Sequence, residues 1–395
     1  MGESSWHDLG PLEQFTSKPL QEVVIDKTRL AVTCVEGDLS VISGACHHMG
    51  GSLGRGRLEG DHVVCPLHYW RFHRKSGAGG PGLEQDCVPA YTIKTEAGRL
   101  WVDLASATPR QKGPRAPHRL ARPIARADGP IRVVGISTTA MTAGHPRSST
   151  SEHLLDIALA EAKESGCEIR KIRLDDLSFR HCEGFYSKSA RACTWPCSIT
   201  QMDPADQMDQ VYEAFVHWAD VILVSTPIRW GAASSLYYKM VERCNCIQNQ
   251  ETIASRVLMN NKVAGFIVTG GQDNVQGVVG HMLTFFAEIG CQFPQHPFIA
   301  HSRGWTAEDM ENNVQQVLES TDLADGARGL TRRCVEMAGL FLSGALSGLE
   351  LVQGGRKAHK LQVLWQSAER RGHAAWWGCS PPTPPTPLTY GDGGA

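Results

Sequence analysis

Short apolar runs separated by glycine-rich turns fill the first quarter of the chain. These runs are too short and too closely spaced for ordinary helices, which usually need about 8–20 residues. The pattern therefore predicts an all-β module over residues 1–104. The runs lie at Glu22–Asp26, Arg29–Cys34, Leu39–Ser43, His62–Cys65 and Leu100–Asp103.

From Ile131 onward, apolar runs alternate with amphipathic stretches. This alternation predicts βαβ units and a parallel sheet, so residues 131–342 are predicted to form a doubly wound α/β domain. The predicted strands are Ile131–Ile136, Glu168–Leu174, Val221–Val224 and Lys262–Thr269. The predicted helices are Glu152–Ser165, Ala205–Ala219, Ala233–Cys246, Val275–Ile289 and one or two over Thr306–Leu342.

Two further segments have biased composition. Residues 105–130 are rich in proline and arginine, which predicts an extended linker that buries little. Residues 343–395 lose the helical pattern and end in SPPTPPTPLTYGDGGA, which predicts a largely disordered C-terminal tail.

Composition excludes several classes of function. Lys and Arg number 39 against 41 Asp and Glu, and the net charge of −2 argues against a nucleic-acid partner. No run of about 18 apolar residues and no secretory signal occur, so we expect a cytoplasmic protein without a membrane partner. The chain has 13 cysteines, which is an odd number, and no export signal. These cysteines therefore indicate free thiols and metal ligands rather than a disulfide framework.

Two short motifs pair a cysteine with a histidine. Cys46 and His48 form a C-x-H motif, and Cys65 and His68 form C-x-x-H. Such loops suit a [2Fe–2S] cluster with two thiolates on one iron and two imidazoles on the other. Zinc also accepts two cysteines and two histidines, so coordination chemistry alone leaves the metal open. The β-rich setting favours the cluster, because zinc-finger spacing would place both histidines together on a helix.

The region from about residue 5 to 104 resembles a Rieske iron–sulfur domain. The resemblance implies that Cys46 and Cys65 bind the inner iron, and that His48 and His68 bind the outer iron. His47 lies between ligands and is left out of the set. Tyr69 departs from the family, in which many members have glycine after the second histidine. The resemblance also includes Gly50–Leu53, Cys65-Pro66, Trp70–Phe72 and Cys87, Pro89 and Tyr91.

Neither loop contains a spare cysteine, so the module resembles the ferredoxin and oxygenase type of Rieske domain. An oxygenase would also need a mononuclear iron on two histidines and a carboxylate. His296 and His301 have a suitable spacing, but Phe293 stands where the carboxylate would be wanted. We therefore disfavour an oxygenase.

A hydroxyl-rich loop, Gly144–Glu152, follows the first predicted strand of the α/β region. Unpaired N–H groups at a helix start favour phosphate, so this loop is a candidate anion site. The alternative is simple capping of the helix by Ser149, Thr150 or Ser151. Neither a P-loop motif nor a G-x-G-x-x-G motif is present.

Two further loops, Ser225–Ala232 and Thr269–Asp273, also follow predicted parallel strands, where open α/β sheets bind ligands. Over about residues 131–320 this trio resembles the flavodoxin-like NADPH-dependent FMN reductases and the iron–sulfur flavoproteins. The resemblance implies a dimer or tetramer and three groups of FMN contacts. Ser149 and Ser151 would hold the phosphate; Pro227, Ile228, Arg229, Trp230 and Gly231 would wrap the ribityl chain and ring edge; Thr269, Gly270, Gly271 and Gln272 would contact the isoalloxazine.

Iron–sulfur flavoproteins carry a compact four-cysteine motif near the position of Cys182, Cys193 and Cys197. Here Phe185 and Lys188 stand where that spacing would need cysteines. A second cluster would need a ligand from elsewhere, so a structural or substrate-facing loop is favoured, and metal binding by these thiols is left open.

Together the two resemblances predict an oxidoreductase that passes electrons from NAD(P)H through FMN and the cluster to an acceptor protein or small molecule. In a second hypothesis the flow is reversed. A ferredoxin would feed the cluster, and FMN would reduce a quinone, a nitro compound or a biosynthetic intermediate. A third hypothesis, a redox sensor, lacks support from a DNA-binding motif or a basic face. No catalytic acid or base is predicted, because hydride transfer needs none.

Overall fold

The computed structural model describes residues 5–346, apart from 115–116, 143, 145–147, 204, 272–273, 303 and 305. The predicted tail beyond residue 346 therefore lies outside the described residues. In the described part of the chain, no helix is both long and apolar enough to cross a bilayer.

The N-terminal region is built from nine strands in two sheets. A six-stranded sheet has the order β1-β9-β8-β4-β3-β2, and a smaller sheet has the order β5-β6-β7. The strands are β1 (Trp6–Pro11), β2 (Leu20–Ile25), β3 (Thr28–Val35), β4 (Asp38–Ser43), β5 (Arg57–Glu59), β6 (His62–Val64), β7 (Arg71–His73), β8 (Ala90–Glu96) and β9 (Arg99–Asp103), with one short helix, α1 (Leu12–Thr16). The all-β prediction is confirmed, although β1, β5, β7 and β8 were not predicted individually.

A five-stranded parallel sheet of order β11-β10-β12-β13-β14 forms the centre of the second region. Its strands are β10 (Arg132–Ser137), β11 (Glu168–Arg173), β12 (Val221–Pro227), β13 (Val263–Gly270) and β14 (Phe298–Ser302). The helices are α2 (Thr150–Glu164), α3 (Ser198–Met202), α4 (Met208–Tyr212), α5 (Ser235–Arg243), α6 (Asn245–Ala254), α7 (Val275–Glu288), α8 (Ala307–Glu319) and α9 (Thr321–Leu342). This strand order is the doubly wound, flavodoxin-like arrangement, which confirms the predicted fold class.

The two central strands, β12 and β13, are buried along their whole length. Their sequences contain continuous apolar runs because packed side chains cover both faces of the sheet. Strand β14 was missed by the sequence pattern, since all its residues are only half-buried and its apolar run is short.

Two predicted helices differ from the structure. The stretch predicted over 205–219 is the short helix α4 followed by a π-helix, Glu213–Trp218. The stretch predicted over 233–246 is divided at Cys244 into α5 and α6. Periodicity alone does not reveal such changes in winding, because the apolar positions stay on nearly the same face.

The proline- and arginine-rich segment between the two regions is irregular but packed. Leu120 is fully buried, although the composition predicted little burial. Arg122 pairs with Glu213, and Arg126 pairs with Asp220. The arginines thus fix the segment on the α/β region, because they meet acidic partners that are distant in sequence.

Candidate functional site

The four predicted metal ligands converge on two loops. Cys46 and His48 follow β4, and Cys65 and His68 follow β6. The two thiols form a hydrogen bond with each other, and both cysteines are buried. The centres of the His48 and His68 rings lie 4.7 Å apart. The structure thus places thiol beside thiol and imidazole beside imidazole, as a cluster with two differently ligated irons requires.

The surroundings of the thiols fit a [2Fe–2S] cluster. Backbone N–H groups of His48 and Leu67 point at the sulfurs of Cys46 and Cys65, respectively. The hydrogen bond between the two thiols lowers the pKa of Cys65 to about 7 and raises the pKa of Cys46, because the two sulfurs share one proton at close range. A Cβ atom at Gly51 would lie only 2.7 Å from the Cys65 sulfur, so the turn requires glycine there.

His47, which was not predicted as a ligand, forms a buried contact with Asp86. Its Nε2 lies 2.7 Å from Oδ1 of Asp86, and both side chains are buried. Its ring packs edge-on against Trp70 and Phe72. Burial lowers the pKa of His47, although Asp86 opposes that shift. The pair joins the first ligand loop to the segment around Asp86.

His68 is covered by the α/β region. Its Nε2 lies 2.8 Å from the carbonyl oxygen of Ala192, and the ring of Phe185 packs edge-on at 5.1 Å between centres. The side chain of Lys188 donates to the carbonyl oxygen of Pro66 at 2.7 Å. His68 is only 2% exposed as a result. The segment 182–193, called the covering loop below, therefore forms one wall of the cluster site.

Tyr69, which stands where many Rieske domains have glycine, contacts the covering loop. Its φ of 59° lies in the left-handed region, where glycine is the usual residue. Its hydroxyl donates to Glu183 at 2.7 Å. A contact to the covering loop thus accompanies a backbone conformation that is unfavourable for tyrosine.

The covering loop is itself anchored to the α/β core. Asn249 on α6 donates to the carbonyl oxygens of Ala190 and Cys193 at 2.7 and 2.8 Å. Just beyond the loop, the fully buried guanidinium of Arg243 pairs with Asp206 at 2.7 Å. These polar anchors are costly to leave unpaired in the interior, so they specify the loop position.

His48 lies on a more open side of the cluster site than His68. Its ring stacks on Trp70, with 4.4 Å between the centres and an interplanar angle of 6°. His48 is half-buried, and the next residue, Met49, is 39% exposed. The two imidazoles thus differ in what covers them.

The three cysteines at 182, 193 and 197 lie in or next to the covering loop. The thiol of Cys197 contacts that of Cys246 on α6, and this hydrogen bond lowers the pKa of Cys197 to about 5. Asn245 donates to the sulfur of Cys193 at 3.4 Å. Among the residues with described positions, no group of three metal-binding side chains converges on a single ion. The four predicted Rieske ligands are not such a group either, since the prediction assigns two of them to each iron.

A polar pocket opens at the carboxyl ends of β10, β12 and β13. Six predicted FMN contacts line it: Ser149, Pro227, Arg229, Thr269, Gly270 and Gly271. Ser149 also caps α2, accepting from the N–H of Glu152 at 3.5 Å. The capping hypothesis is therefore confirmed for Ser149, and its role as an FMN contact stays a prediction. Hydroxyls, a helix N-terminus and Arg229 together fit a phosphate monoester.

The other predicted contacts within the described part of the chain do not line this pocket. Ser151 is fully buried, and its Oγ lies 3.3 Å from that of Ser149. Ile228 is buried against Gly270, where a Cβ atom would approach it to 2.6 Å. Trp230 is 94% exposed. Gly231 accepts a hydrogen bond from Asn274, and Gln272 lies outside the described residues.

Six lining residues were not among the predicted contacts, namely Thr139, Met141, Ser148, Thr150, Asn313 and Val314. Thr139 belongs to the hydroxyl-rich stretch after β10, so the sequence contained a signal for it. Asn313 and Val314 come from α8, whose sequence looks like that of any closing helix. Only the packing of α8 brings them to the pocket.

Family comparisons match both regions. Residues 5–92 match the Rieske [2Fe-2S] domain, and residues 137–306 match NADPH-dependent FMN reductase. These two ranges lie within the two regions predicted to carry the cluster and the flavin.

Similar curated proteins match short stretches of this chain. The oxygenase component of 3-ketosteroid-9-alpha-monooxygenase from Mycolicibacterium smegmatis is 43% identical over 68 residues, which are 17% of this chain and 18% of that protein. The ferredoxin component of the naphthalene 1,2-dioxygenase system from Pseudomonas aeruginosa is 28% identical over 25% of this chain and 96% of its own length. This chain thus covers less than a fifth of the first relative.

A solved structure is similar over a longer stretch. The crystal structure of RosB with bound 8-demethyl-8-formylriboflavin-5'-phosphate is 15% identical, with a TM-score of 0.46, and the similarity covers 67% of this chain and 96% of that one.

Proposed function

We propose that this oxidoreductase, which joins a Rieske [2Fe–2S] domain to an NADPH-dependent FMN reductase domain, uses its cluster to relay electrons between its own FMN and an external acceptor. The observation that carries the proposal is the hydrogen bond between His68 and the carbonyl oxygen of Ala192. It joins a predicted ligand of the cluster directly to the backbone of the flavin-binding region.

The two cofactors supply complementary chemistry, since bound FMN accepts a hydride from a nicotinamide and releases electrons singly, while the cluster carries one electron. The chain's own residues supply position. Ala192 accepts from Nε2 of His68, which leaves Nδ1 of that ring for the iron. Ser149 and the amides at the start of α2 hold the flavin phosphate.

The acceptor is proposed to approach from the side of His48. His68 is covered by the chain's own second region, whereas His48 is half-buried beside the exposed Met49. Relatives of the Rieske region include an oxygenase component and a ferredoxin component of a dioxygenase system. A protein acceptor of the oxygenase or ferredoxin class fits this open side.

Two further features belong to the proposal. We expect a homodimer or homotetramer, because the exposed Trp230 stands next to the pocket residue Arg229. We expect it to act in the cytoplasm, because the twelve cysteines in the described part of the chain form no disulfide, as is usual in reducing compartments.

Anaerobic titration of the full-length protein with NADPH and then NADH, followed by absorbance and EPR, tests the proposal. We expect flavin absorbance to fall first and a Rieske-type EPR signal to follow. As a control, Cys46→Ser should abolish the EPR signal while the flavin still bleaches.

Other outcomes contradict specific parts of the proposal. If neither nicotinamide reduces the flavin but reduced ferredoxin does, electrons flow in the opposite direction, from the cluster to FMN. The flavin would then reduce a quinone, a nitro compound or a biosynthetic intermediate. Iron-loaded protein without a Rieske signal in dithionite would overturn the cluster assignment.

A further inference from the structure

The helix α8 brings an asparagine into the wall of the FMN pocket. A capping box between Thr306 and Asp309 fixes where this helix begins. Asn313 follows about one turn after Asp309 and lines the pocket together with Ser148, Ser149 and Thr150. Asn313 as a residue is only 7% exposed. Burying an amide without hydrogen-bond partners costs folding free energy, so partners determine how the Asn313 side chain is oriented.

His301 at the end of β14 sets that orientation. Its Nε2 lies 2.9 Å from Oδ1 of Asn313. Because a carbonyl oxygen can only accept, Nε2 of His301 carries the proton and donates it. The Nδ2 group of Asn313, which has two N–H bonds, is thereby directed away from His301.

The position of His301 is fixed by the sheet. It pairs in register with Thr269 of the neighbouring strand β13. The Thr269 hydroxyl lies 2.7 Å from the hydroxyl of Thr150, the first residue of α2. The pair formed by His301 and Asn313 is therefore built onto the wall that also carries the hydroxyl-rich start of α2.

The charge of the pocket selects an anion. Among the described residues that line it, none is acidic, and Arg229 is a cation. The phosphate is the anionic group of FMN, and the lining beside Asn313 includes Ser148 to Thr150. We infer that Asn313, oriented by His301, donates a hydrogen bond from Nδ2 to the FMN phosphate. This inference rests on the proposed FMN site, and Asn313 lies outside the residues that match the reductase family.

Flavin binding to the full-length protein, stripped of FMN, tests this role without any turnover. The readout is the quenching of flavin fluorescence with FMN and, separately, with riboflavin, which lacks the phosphate. We expect Asn313→Ala to raise the Kd for FMN about tenfold, the usual cost of a lost hydrogen bond to a charged group. Asn313→Asp should raise it further, because a carboxylate would face the phosphate. The Kd for riboflavin should stay the same in both variants.

The neighbouring Asn312 offers a matched control, since it is exposed on the same helix. Asn312→Asp introduces the same charge and should leave the Kd for FMN unchanged. His301→Leu should weaken FMN binding, whereas His301→Gln, which keeps an N–H donor for Asn313, should restore most of the affinity.

Three results would overturn the inference. An unchanged Kd for FMN in Asn313→Asp would show that the amide does not face the phosphate. An equal loss for riboflavin and FMN would assign the effect to another part of the flavin or to the fold. A wild-type protein that binds neither flavin would overturn the FMN site itself, together with this role for Asn313.

Discussion

Nε2 of His68 lies 2.8 Å from the carbonyl oxygen of Ala192, a residue 124 positions later in the chain. A predicted cluster ligand in the β region thus donates to the backbone of the α/β region. Because the outer hydrogen bond of a metal-bound histidine fixes its tautomer and orientation, the α/β region helps to define the cluster site.

Removal of the aromatic cover on His68 should slow electron transfer inside the protein. Phe185 is buried against His68, so Phe185→Ala loosens the covering loop. We expect the transfer from FMN to the cluster to slow about tenfold to a hundredfold, a typical effect of misplacing a reacting group. Stopped-flow absorbance after mixing with NADPH measures this rate. Flavin reduction itself should keep its rate.

Two variants control for an effect on folding. Phe185→Leu keeps an apolar cover and should stay near the wild-type rate. Tyr186 is exposed beside it, and Tyr186→Ala should change nothing. An unchanged internal rate in Phe185→Ala would contradict the relay through this contact.

Charge placed beside His48 should change the rate at which electrons leave the cluster. Met49 is exposed, so its replacement leaves the interior intact. With ferricyanide, an anionic acceptor, Met49→Glu should slow cluster reoxidation and Met49→Lys should accelerate it, each about threefold to tenfold at low salt. Loss of the reduced-cluster EPR signal in rapidly frozen samples gives the rate.

The exposed Val24 is a control on the same region. Val24→Glu adds the same charge and should leave the rate unchanged. Equal rates for Met49→Glu and Met49→Lys would place the exit of electrons elsewhere.

Trp230 should contribute to association between copies of the chain. Trp230 is 94% exposed and follows Arg229, which lines the pocket. Trp230→Glu should shift the mass measured by light scattering from an oligomer to a monomer, because a charge would enter an apolar contact. Ile253→Glu, at another exposed position, should not. An oligomer that persists in Trp230→Glu would argue against an interface at this residue.

Lys262 should give the stability of the fold a distinctive pH dependence. Its ammonium donates to the carbonyl oxygen of Ala219 at 2.5 Å, and burial lowers its pKa from 10.5 to about 8. The unfolded chain therefore keeps a proton that the folded chain has lost between these values. Stability from this group is fully present above the higher value and is lost as the pH falls through the lower one.

Denaturant unfolding of the wild type and of Lys262→Met at about pH 7 and about pH 10 measures this linkage. The gain in free energy of unfolding on raising the pH should be about 2–3 kcal/mol larger for the wild type, since one pKa unit corresponds to about 1.4 kcal/mol. The comparison removes the contribution of other titrating groups. Parallel pH curves would show that Lys262 is not the group responsible.

The sequence by itself determined the fold class of both regions and predicted the ligand set of the cluster site. Cys46 and His48 lie in one loop and Cys65 and His68 in another, so each pair is local and its spacing can be read directly. Alternation of apolar runs likewise predicted the parallel sheet, because strands β12 and β13 are buried on both faces. Local geometry and side-chain periodicity are properties that a sequence expresses residue by residue.

Only the tertiary structure decided how these parts meet. Ala192 accepts from His68 through its backbone, which no side-chain type can signal, and Asn313 reaches the pocket only because α8 packs beside β14. Likewise, Ile228 and Trp230 follow the same strand, yet one is buried and the other exposed. Contacts between distant segments depend on packing and on the winding of each element, so short-range pattern does not contain them.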